Sequence, residues 1–219
     1  MSTAASPVLA PMPPSDVRDR FLDPQTHQAL LDYTLANANR FSQATVYRAD
    51  AMRVDTDARD NLKLSDLGPL KDPIRQRMLA ALPDLAASLG CTFPPGAMLE
   101  LEITAYGDGA FYRAHTDTGI PGRDDPAQPK ERDPRLLSAV YYFHRQPKGF
   151  SGGALRLFRW GQCDFEDPAN FRDFEPADNR LVTFLSWSRH EVRPVTCPSQ
   201  RFEDYRFAIN CWFRALLPA

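Results

Sequence analysis

The sequence predicts a mainly β domain with helices near its N-terminus, arranged as an antiparallel two-sheet roll with a helical buttress. Two changes along the chain support this fold class. Apolar residues recur three or four positions apart in parts of the first 90 residues, and they alternate with polar residues from about residue 98 onward. Short apolar runs then follow one another between clusters of Gly, Pro, Asp and Asn.

The composition fits one domain. The chain has 219 residues, of which 43% are hydrophobic, so it can bury a substantial core. We expect a flexible tail over residues 1–20, because that stretch is rich in Ala, Ser and Pro, and a single domain over residues 21–219. Within that domain, residues 21–90 give helical support and residues 98–214 form the β core.

The charge balance argues against nucleic acid and membranes as partners. The chain carries 26 basic and 28 acidic residues, which gives no field that would attract phosphates or anionic lipids. It has no apolar run near ~18 residues and no export signal, so we expect a soluble, cytoplasmic protein. The cysteines lack C-x-x-C spacing, which favours buried free thiols at Cys91, Cys163, Cys197 and Cys211.

Two helices are predicted before the β core. Asp23 and Pro24 form a helix start, and that helix should run to about Ala38. The second helix carries an apolar stripe and ends at Gly90, and Pro83 should kink or split it. The stripe consists of Ile74, Met78, Leu82, Leu85 and Leu89. The polar segment 41–67 between them has a strand candidate at 44–48 and is interpreted as a flexible stretch near the site entrance.

The strands begin where the period becomes two. Leu99, Leu101, Ile103 and Ala105 alternate with polar residues, which predicts a strand buried on one side. Further strand candidates are residues 137–144, 154–160, 181–186 and 206–214. The polar segment 118–135 has no periodicity and is long enough to suggest a functional lid.

The strongest candidate for chemistry is the run Phe111-Tyr112-Arg113-Ala114-His115-Thr116-Asp117. On an extended backbone, His115 and Asp117 project to the same side, so an imidazole and a carboxylate can reach one ion. Such a pair needs a third ligand, and the chain has four histidines. His190, at the end of another apolar run, is the best of them. Two histidines and one carboxylate are the ligand set of non-haem Fe(II) oxygenases.

A second candidate lies on the last predicted strand. By alternation, Arg206, Ala208, Asn210 and Trp212 share one face, and the opposite face is entirely apolar. An arginine on the inward face is a buried charge, which is costly unless it meets an anion. Its planar fork suits a carboxylate.

These motifs resemble those of prolyl 4-hydroxylase-like 2-oxoglutarate/Fe(II) dioxygenases, which include the oxygen-sensing prolyl hydroxylases. A lone H-x-D is weak evidence, but the ordered set is specific, and it covers roughly residues 98–214. The matching motifs are Tyr112-x-x-His115-x-Asp117, Tyr141-Tyr142, Ser151-Gly152-Gly153-x-Leu155, His190-Glu191-Val192-x-Pro194 and Arg206-Phe207-Ala208-Ile209-x-x-Trp212.

The resemblance implies a double-stranded β-helix (a jelly-roll, cupin-like fold) with Fe(II) held by His115, Asp117 and His190. It also implies that 2-oxoglutarate chelates the metal, with its far carboxylate on Arg206 and the Tyr142 hydroxyl, and that O2 is the second co-substrate. The products would be succinate, CO2 and a hydroxylated substrate. Ascorbate, which keeps iron reduced in the family, is a further expectation. Halogenation is disfavoured, because halogenating members have a small residue in place of the acid.

One departure from the family leaves the anion-binding residue open. The chain has an insertion between His190 and Arg206 relative to the oxygen sensors, and Arg201 within it is a competing anion binder. Strand context favours Arg206. Further site-lining candidates are Tyr106, Tyr112, Asn210 and Trp212, although the tyrosines fit the core equally well and Trp212 is more typical of packing.

The leading hypothesis is hydroxylation of a prolyl residue in a protein or peptide. One alternative keeps the chemistry and uses a free amino acid or another small metabolite. Another is a cupin-like metal-binding or sensing module without turnover. A third, oxidative demethylation of nucleic acid, is disfavoured by the neutral charge balance. The sequence decides neither the substrate nor the oligomeric state.

Overall fold

The structure is a computed structural model, and it describes residues 10–48, 51–93, 96–118, 135–161 and 166–215. Its strands, in chain order, are β1 (Ser15–Asp19), β2 (Ser42–Gln43), β3 (Val46–Arg48), β4 (Ala51–Arg53), β5 (Arg59–Asp60), β6 (Leu62–Leu64), β7 (Met98–Tyr106), β8 (Phe111–His115), β9 (Arg135–Phe143), β10 (Ser151–Gly152), β11 (Leu155–Phe158), β12 (Phe171–Phe174), β13 (Arg180–Leu185), β14 (His190–Val192), β15 (Val195–Thr196) and β16 (Arg206–Arg214). Its α-helices are α1 (Pro24–Ala36) and α2 (Lys71–Ser88). Short 3-10 turns lie at Ala38–Arg40, Gly68–Leu70, Pro168–Asn170 and Phe202–Asp204. The prediction of a mainly β chain with a few helices is confirmed.

Two antiparallel sheets face each other. The large sheet has the strand order β1-β13-β9-β16-β7-β6-β2, and the small sheet has the order β12-β11-β14-β8-β5. Two short pairs, β3 with β4 and β10 with β15, lie outside them. Side chains from both inner faces form one apolar cluster, which includes Tyr142, Val182, Phe184 and Ala208 of the large sheet and Leu155, Leu157 and Phe174 of the small sheet. The inner faces of the two sheets are therefore held together by apolar contacts, and the candidate site lies between these faces.

The helices cover the outer face of the large sheet. On α2, Ile74, Met78 and Leu85 are fully buried, and they share one core cluster with Ile209 and Phe213 of β16. Each such side chain contributes about 1.5–3 kcal/mol on burial. The predicted alternation is therefore correct: odd-numbered residues of β16 pack toward the helices, and even-numbered residues face the small sheet.

The two helices start and end close to where the sequence placed them. The Asp23 side chain accepts a hydrogen bond from the Thr26 amide at 2.9 Å, and Pro24 is the first helical residue of α1. Gly90 follows α2 with a φ of +68°, the left-handed conformation that suits glycine at a helix end. Pro83, however, does not split α2, which continues through it as one helix.

The expected tail at residues 1–20 is wrong for its last part. Residues Ser15–Asp19 form β1, which pairs with β13 at the edge of the large sheet. Backbone hydrogen bonds make this pairing, and Val17 remains 44% exposed. The segment therefore has little of the apolar alternation that predicts a strand. Residues 1–9 lie outside the described part of the chain.

The segment 41–67 contains several short strands. Strand β6 pairs with β7 of the large sheet, and β5 pairs with β8 of the small sheet, with only Asn61 between them. The segment therefore connects the edges of the two sheets on one side of the roll. The strand expected at 44–48 corresponds to β3. Strand β12 was missed because its sequence, Phe-Arg-Asp-Phe, is short and half charged.

Some expectations fall on residues that are not described. Residues 119–134, nearly all of the expected lid, are among them, as is Cys163. Cys197 and Cys211 are free and buried, and Cys91 is free and half-buried. Neither helix in the described part of the chain is both long and apolar enough to span a membrane.

Candidate metal centre and the cavity around it

The structure brings His115, Asp117 and His190 together. His115 ends β8 and His190 begins β14, and the two are direct cross-strand partners although 75 positions separate them. The Nε2 atom of His115 lies 3.7 Å from Asp117 Oδ1, and the Nε2 atom of His190 lies 3.7 Å from Asp117 Oδ2. All three ligand atoms lie within 4.8 Å of one another. Metal bonds of about 2.0–2.2 Å to one ion require separations of this order.

Hydrogen bonds fix which imidazole nitrogen faces the centre. His115 Nδ1 lies 2.8 Å from the Arg113 carbonyl oxygen, and His190 Nδ1 lies 2.9 Å from the Ser188 carbonyl oxygen. A carbonyl can only accept, so each Nδ1 carries the proton and each Nε2 offers its lone pair to a metal. Burial, together with the neighbouring His115, lowers the pKa of His190 to about 4. His190 is therefore neutral at neutral pH, as a metal ligand must be.

Asp117 is held as a carboxylate. Burial acts to raise its pKa, but the two imidazoles and a hydrogen bond from Ser138 outweigh burial and keep the pKa well below the usual range. The Ser138 hydroxyl donates to Oδ2 at 2.6 Å and also lies 2.8 Å from the Ser186 hydroxyl. The Asp117 amide donates to the Ser186 carbonyl oxygen at 2.9 Å. Both side chain and backbone of the acid are thus fixed by strands of the large sheet.

Aromatic rings hold the two imidazoles in place. The Tyr112 ring stacks on His115 with a centroid separation of 3.6 Å and an interplanar angle of 21°. The Phe184 ring meets His190 edge-on at 4.7 Å. Rings this close leave an imidazole little freedom to rotate, so the ligand set is largely preformed.

An anion pocket lies further along the inner face of the large sheet. Arg206 is 1% exposed, and its Nε donates to the Gly153 carbonyl oxygen at 2.8 Å. Its guanidinium lies between the rings of Tyr106 and Tyr142, at 4.7 and 4.9 Å. The Arg206 Nη2 atom and the Tyr142 hydroxyl are both buried without a hydrogen-bond partner among the described residues. Two orphaned donors side by side fit a carboxylate.

Burial keeps the Tyr142 hydroxyl protonated. It raises the pKa of Tyr142 to about 12, although Arg206 acts to lower it. The hydroxyl is therefore a donor near neutral pH. Gly153 makes room for the arginine, because a Cβ at this position would lie 2.6 Å from Arg206 Cδ. Its φ of +70° also lies in the left-handed region that favours glycine.

One cavity of about 980 Å³ is lined by the triad and by Arg206, whereas Tyr142 is fully buried and is not among the residues that line it. The expected residues that line it are His115, Asp117, His190, Arg206, Tyr106, Tyr112, Asn210 and Trp212. The competing Arg201 does not line it. Its side chain is 60% exposed and pairs with Asp204 at 2.8 Å, so it is already neutralised at the surface. Trp212 lies under the Arg135 guanidinium at 4.2 Å and also faces the cavity.

Sequence reasoning missed several residues of this site. Ser138 could have been found, because it lies four residues before Tyr142 on the same face of β9. Arg59, Lys63 and Glu102 also line the cavity. The sequence pattern marks Glu102 only as a polar residue that alternates with the apolar residues of β7. Arg59 and Lys63 lie in the segment 41–67, where no hydrophobic periodicity predicts which side chains face inward.

The arrangement can hold one metal ion with open coordination positions and, in the same cavity, a carboxylate at Arg206. Two neutral imidazoles and one carboxylate are ligands that suit Fe(II). A molecule with a carboxylate at its far end fits the pocket of Arg206 and Tyr142. The residues therefore fit both groups that the sequence motifs imply.

Comparison with known proteins gives consistent results. The sequence profile of the 2OG-Fe(II) oxygenase superfamily matches residues 101–214, which is 114 of the 219 residues. An uncharacterized PKHD-type hydroxylase of Synechocystis is 32% identical over 202 residues. That match covers 89% of this chain but only 61% of the relative, so the chain spans less than two thirds of the relative's length.

Solved structures share the fold. A prolyl-4-hydroxylase of Pseudomonas putida superposes with a TM-score of 0.63 at 24% identity, and the match covers 93% of each chain. A prolyl hydroxylase of Trichoplax adhaerens, solved with a peptide fragment of hypoxia inducible factor, gives a TM-score of 0.64 at 18% identity. That match covers 91% of this chain and 82% of the other. At these identities the likeness shows the architecture of the roll.

Proposed function

The chain belongs to the 2OG-Fe(II) oxygenase superfamily, and from this premise we propose that it hydroxylates an unactivated C–H bond while converting 2-oxoglutarate and O2 to succinate and CO2. We assign the two-sheet roll to the double-stranded β-helix class. The metal would be Fe(II), held by His115, Asp117 and His190, and ascorbate would keep it reduced.

The observation that carries the proposal is the pair of orphaned donors beside the triad. Arg206 Nη2 and the Tyr142 hydroxyl are buried and make no hydrogen bond with a described residue, and the Arg206 guanidinium lies 4.9 Å from the Tyr142 ring centroid. In a module that only binds a metal, the buried guanidinium would stay unsatisfied, which is costly. A co-substrate with a distal carboxylate would satisfy both donors. This distinguishes the oxygenase from the alternative of a metal-binding module without turnover.

In this scheme each residue has one task. Bound Fe(II), 2-oxoglutarate and O2 together supply the oxidising power that C–H hydroxylation needs. The triad holds the metal and leaves its other positions open, with Ser138 fixing the orientation of Asp117. Arg206 and Tyr142 hold the far carboxylate, which orients the co-substrate toward the metal, and Gly153 makes room for the arginine and accepts a hydrogen bond from its Nε. The Tyr112 and Phe184 rings keep the imidazoles from turning.

For the substrate we propose a prolyl residue of a protein or peptide. The sequence motifs support this choice, and the Synechocystis relative bears the name of a hydroxylase. A free amino acid or another small metabolite is the second candidate. It is favoured by the charged side chains of Arg59, Lys63 and Glu102 in the cavity lining.

The test is succinate release from purified protein with Fe(II), ascorbate and 2-oxoglutarate, first without and then with peptides and metabolites. We expect slow succinate release without substrate and a product heavier by one oxygen with the correct one. Asp117→Ala should abolish both. Asp173→Ala is a matched control, because Asp173 pairs with Arg156 on the outer face of the small sheet. Metal binding without succinate under any condition would favour the sensing module.

A further inference from the structure

A third polar feature of the cavity is not explained by metal or co-substrate binding. Arg59, at the start of β5, is 7% exposed and lines the same cavity. Its guanidinium lies 4.7 Å from the centroid of the Tyr112 ring, which also stacks on the imidazole of His115. Only one aromatic ring therefore separates this cation from the metal centre.

The Arg59 side chain is incompletely satisfied. Its Nε donates to Asn61 Oδ1 at 2.6 Å, which fixes the orientation of the guanidinium. Its Nη2 is buried and makes no hydrogen bond with any described residue, although Glu102 Oε1 lies 3.5 Å away as an ion-pair partner. A buried charged donor without an acceptor is costly, and such groups usually await a ligand.

The charges around Arg59 do not cancel. Glu102 is shared between two cations, because its Oε2 also lies 3.4 Å from Lys63 Nζ. Arg59, Lys63 and Glu102 together leave one positive charge on this wall. The nearby acid Glu100 does not balance it, since Glu100 is paired with Arg135 at 2.6 Å and with Arg214.

We propose that Arg59 is a specificity-determining residue that binds a carboxylate of the substrate, close to the carbon to be hydroxylated. This inference rests on the proposed function and narrows its substrate class. Nη2, which makes no hydrogen bond with a described residue, donates to the incoming carboxylate, and Lys63 adds a second positive charge at the same wall. Glu102 holds both cations in place, and Asn61 sets the direction of the fork.

Arg59 and Arg206 have different neighbours in the cavity. Arg206 is the cross-strand partner of Tyr106 on β7, whereas Arg59 is the cross-strand partner of Tyr112 on β8 and contacts Glu102 of β7. Each arginine has one buried Nη2 that makes no hydrogen bond with a described residue. The cavity therefore has two separate groups that can bind a carboxylate.

The carboxylate could come from two sources. It could be the main-chain carboxylate of a small amino acid or C-terminal residue, or the acidic side chain of a residue next to the target in a peptide. Two matched probe pairs separate them: N-acetyl-L-proline against N-acetyl-L-prolinamide, and the blocked dipeptide acetyl-Glu-Pro-amide against acetyl-Gln-Pro-amide. Within each pair only the carboxylate changes to an amide.

The experiment measures binding of these probes by calorimetry to full-length protein loaded with Zn(II) and 2-oxoglutarate. Zn(II) accepts the same ligands and has no redox step, so no turnover occurs. We expect the acid of at least one pair to bind about ten- to a hundredfold more tightly than its amide. Arg59→Gln should remove that preference, and Arg59→Lys should retain part of it.

The control is Arg77→Gln. Arg77 also lies over an aromatic ring, at 4.3 Å from Phe21, but it is on α2 and does not line the cavity. It should leave the preference unchanged. If the wild type shows no preference for either acid, including no binding at all, or if Arg77→Gln removes the preference equally, the inference is overturned.

Failure of the inference can be told apart from failure of the proposed function. The same preparations are tested for 2-oxoglutarate binding and, with Fe(II), for substrate-independent succinate release. If both occur and the acids are not preferred, only the role of Arg59 is wrong. If neither occurs, the oxygenase assignment itself is wrong. Should Arg59→Gln not fold, the wild-type comparison and Arg59→Lys still decide.

Discussion

Arg206→Met is the most direct test of the co-substrate pocket. Methionine keeps most of the side-chain volume between the Tyr106 and Tyr142 rings but removes the charge and every donor. In the wild type, the buried Nη2 lacks a partner among the described residues, so the guanidinium is satisfied only when an anion binds. The variant should therefore lose affinity for 2-oxoglutarate without losing the metal.

The size of the effect follows from the contacts. A hydrogen bond to a charged partner contributes about 1.5–3 kcal/mol, so the dissociation constant of 2-oxoglutarate should rise roughly ten- to 150-fold. Tyr142→Phe removes a neutral donor only, and about 0.5–1.5 kcal/mol corresponds to roughly a two- to twelvefold rise. The apoprotein should not be destabilised by Arg206→Met, because replacing a half-satisfied buried charge by an apolar side chain is often neutral or stabilising.

Calorimetry with the Zn(II)-loaded protein measures the dissociation constant of 2-oxoglutarate. A competing chelator measures metal affinity, and thermal unfolding measures stability. Arg201→Met is the control, since Arg201 is exposed and paired with Asp204. An unchanged 2-oxoglutarate affinity in Arg206→Met would refute the assignment of the pocket. A parallel loss of metal affinity in Arg206→Met would also refute it. A loss of 2-oxoglutarate affinity in Arg201→Met would show that Arg201, and not Arg206, binds the co-substrate.

Three further outcomes are expected. Asp117→Ala should abolish metal binding and succinate release while circular dichroism shows the fold retained, because the remaining imidazoles are held by their own hydrogen bonds. Ser138→Ala should weaken metal binding about tenfold, as loss of a hydrogen bond to a ligand usually does, and a chelator titration measures it. The free energy of unfolding should fall from pH 7 toward pH 5. Burial lowers the pKa of His144 below its ordinary value of 6.5, so in this pH range the unfolded chain binds a proton that the folded chain excludes. In His144→Gln, urea unfolding should show a smaller fall over the same pH range.

Much of the fold could be predicted from the sequence because several of its strands are long and have one apolar face. Strand β16 spans nine residues and pairs on both sides, so its alternation survives as a clean period of two. Strands such as β1, β5 and β12 have two to five residues and lie at sheet edges. There the backbone supplies most of the stabilisation, and composition gives little signal. This is why the tail was predicted to extend too far and β12 was missed.

The candidate site was predictable to the extent that its residues occur in spaced motifs on such strands. His115, Asp117 and His190 could be brought together from an H-x-D pair and a short list of histidines, and the cross-strand pairing of His115 with His190 supplies the physical reason. Arg206 followed from the cost of burying a cation. The support from Ser138 and the wall at Arg59 could not be found this way, because neither residue type is distinctive without its neighbours in space.

The two carboxylate sites differ in how tightly the fold constrains them. Arg206 lies on a strand flanked by β7 and β9, with its guanidinium between two buried rings and against Gly153, so a substitution that does not keep the shape of the side chain disturbs several neighbours. Arg59 lies on β5, which is an edge strand of the small sheet and pairs with β8 alone. Residues on an edge can change without disrupting a second ladder of hydrogen bonds. The geometry therefore separates a rigid part, which would hold the metal and co-substrate, from an adaptable part in the segment 41–67, which would set the substrate.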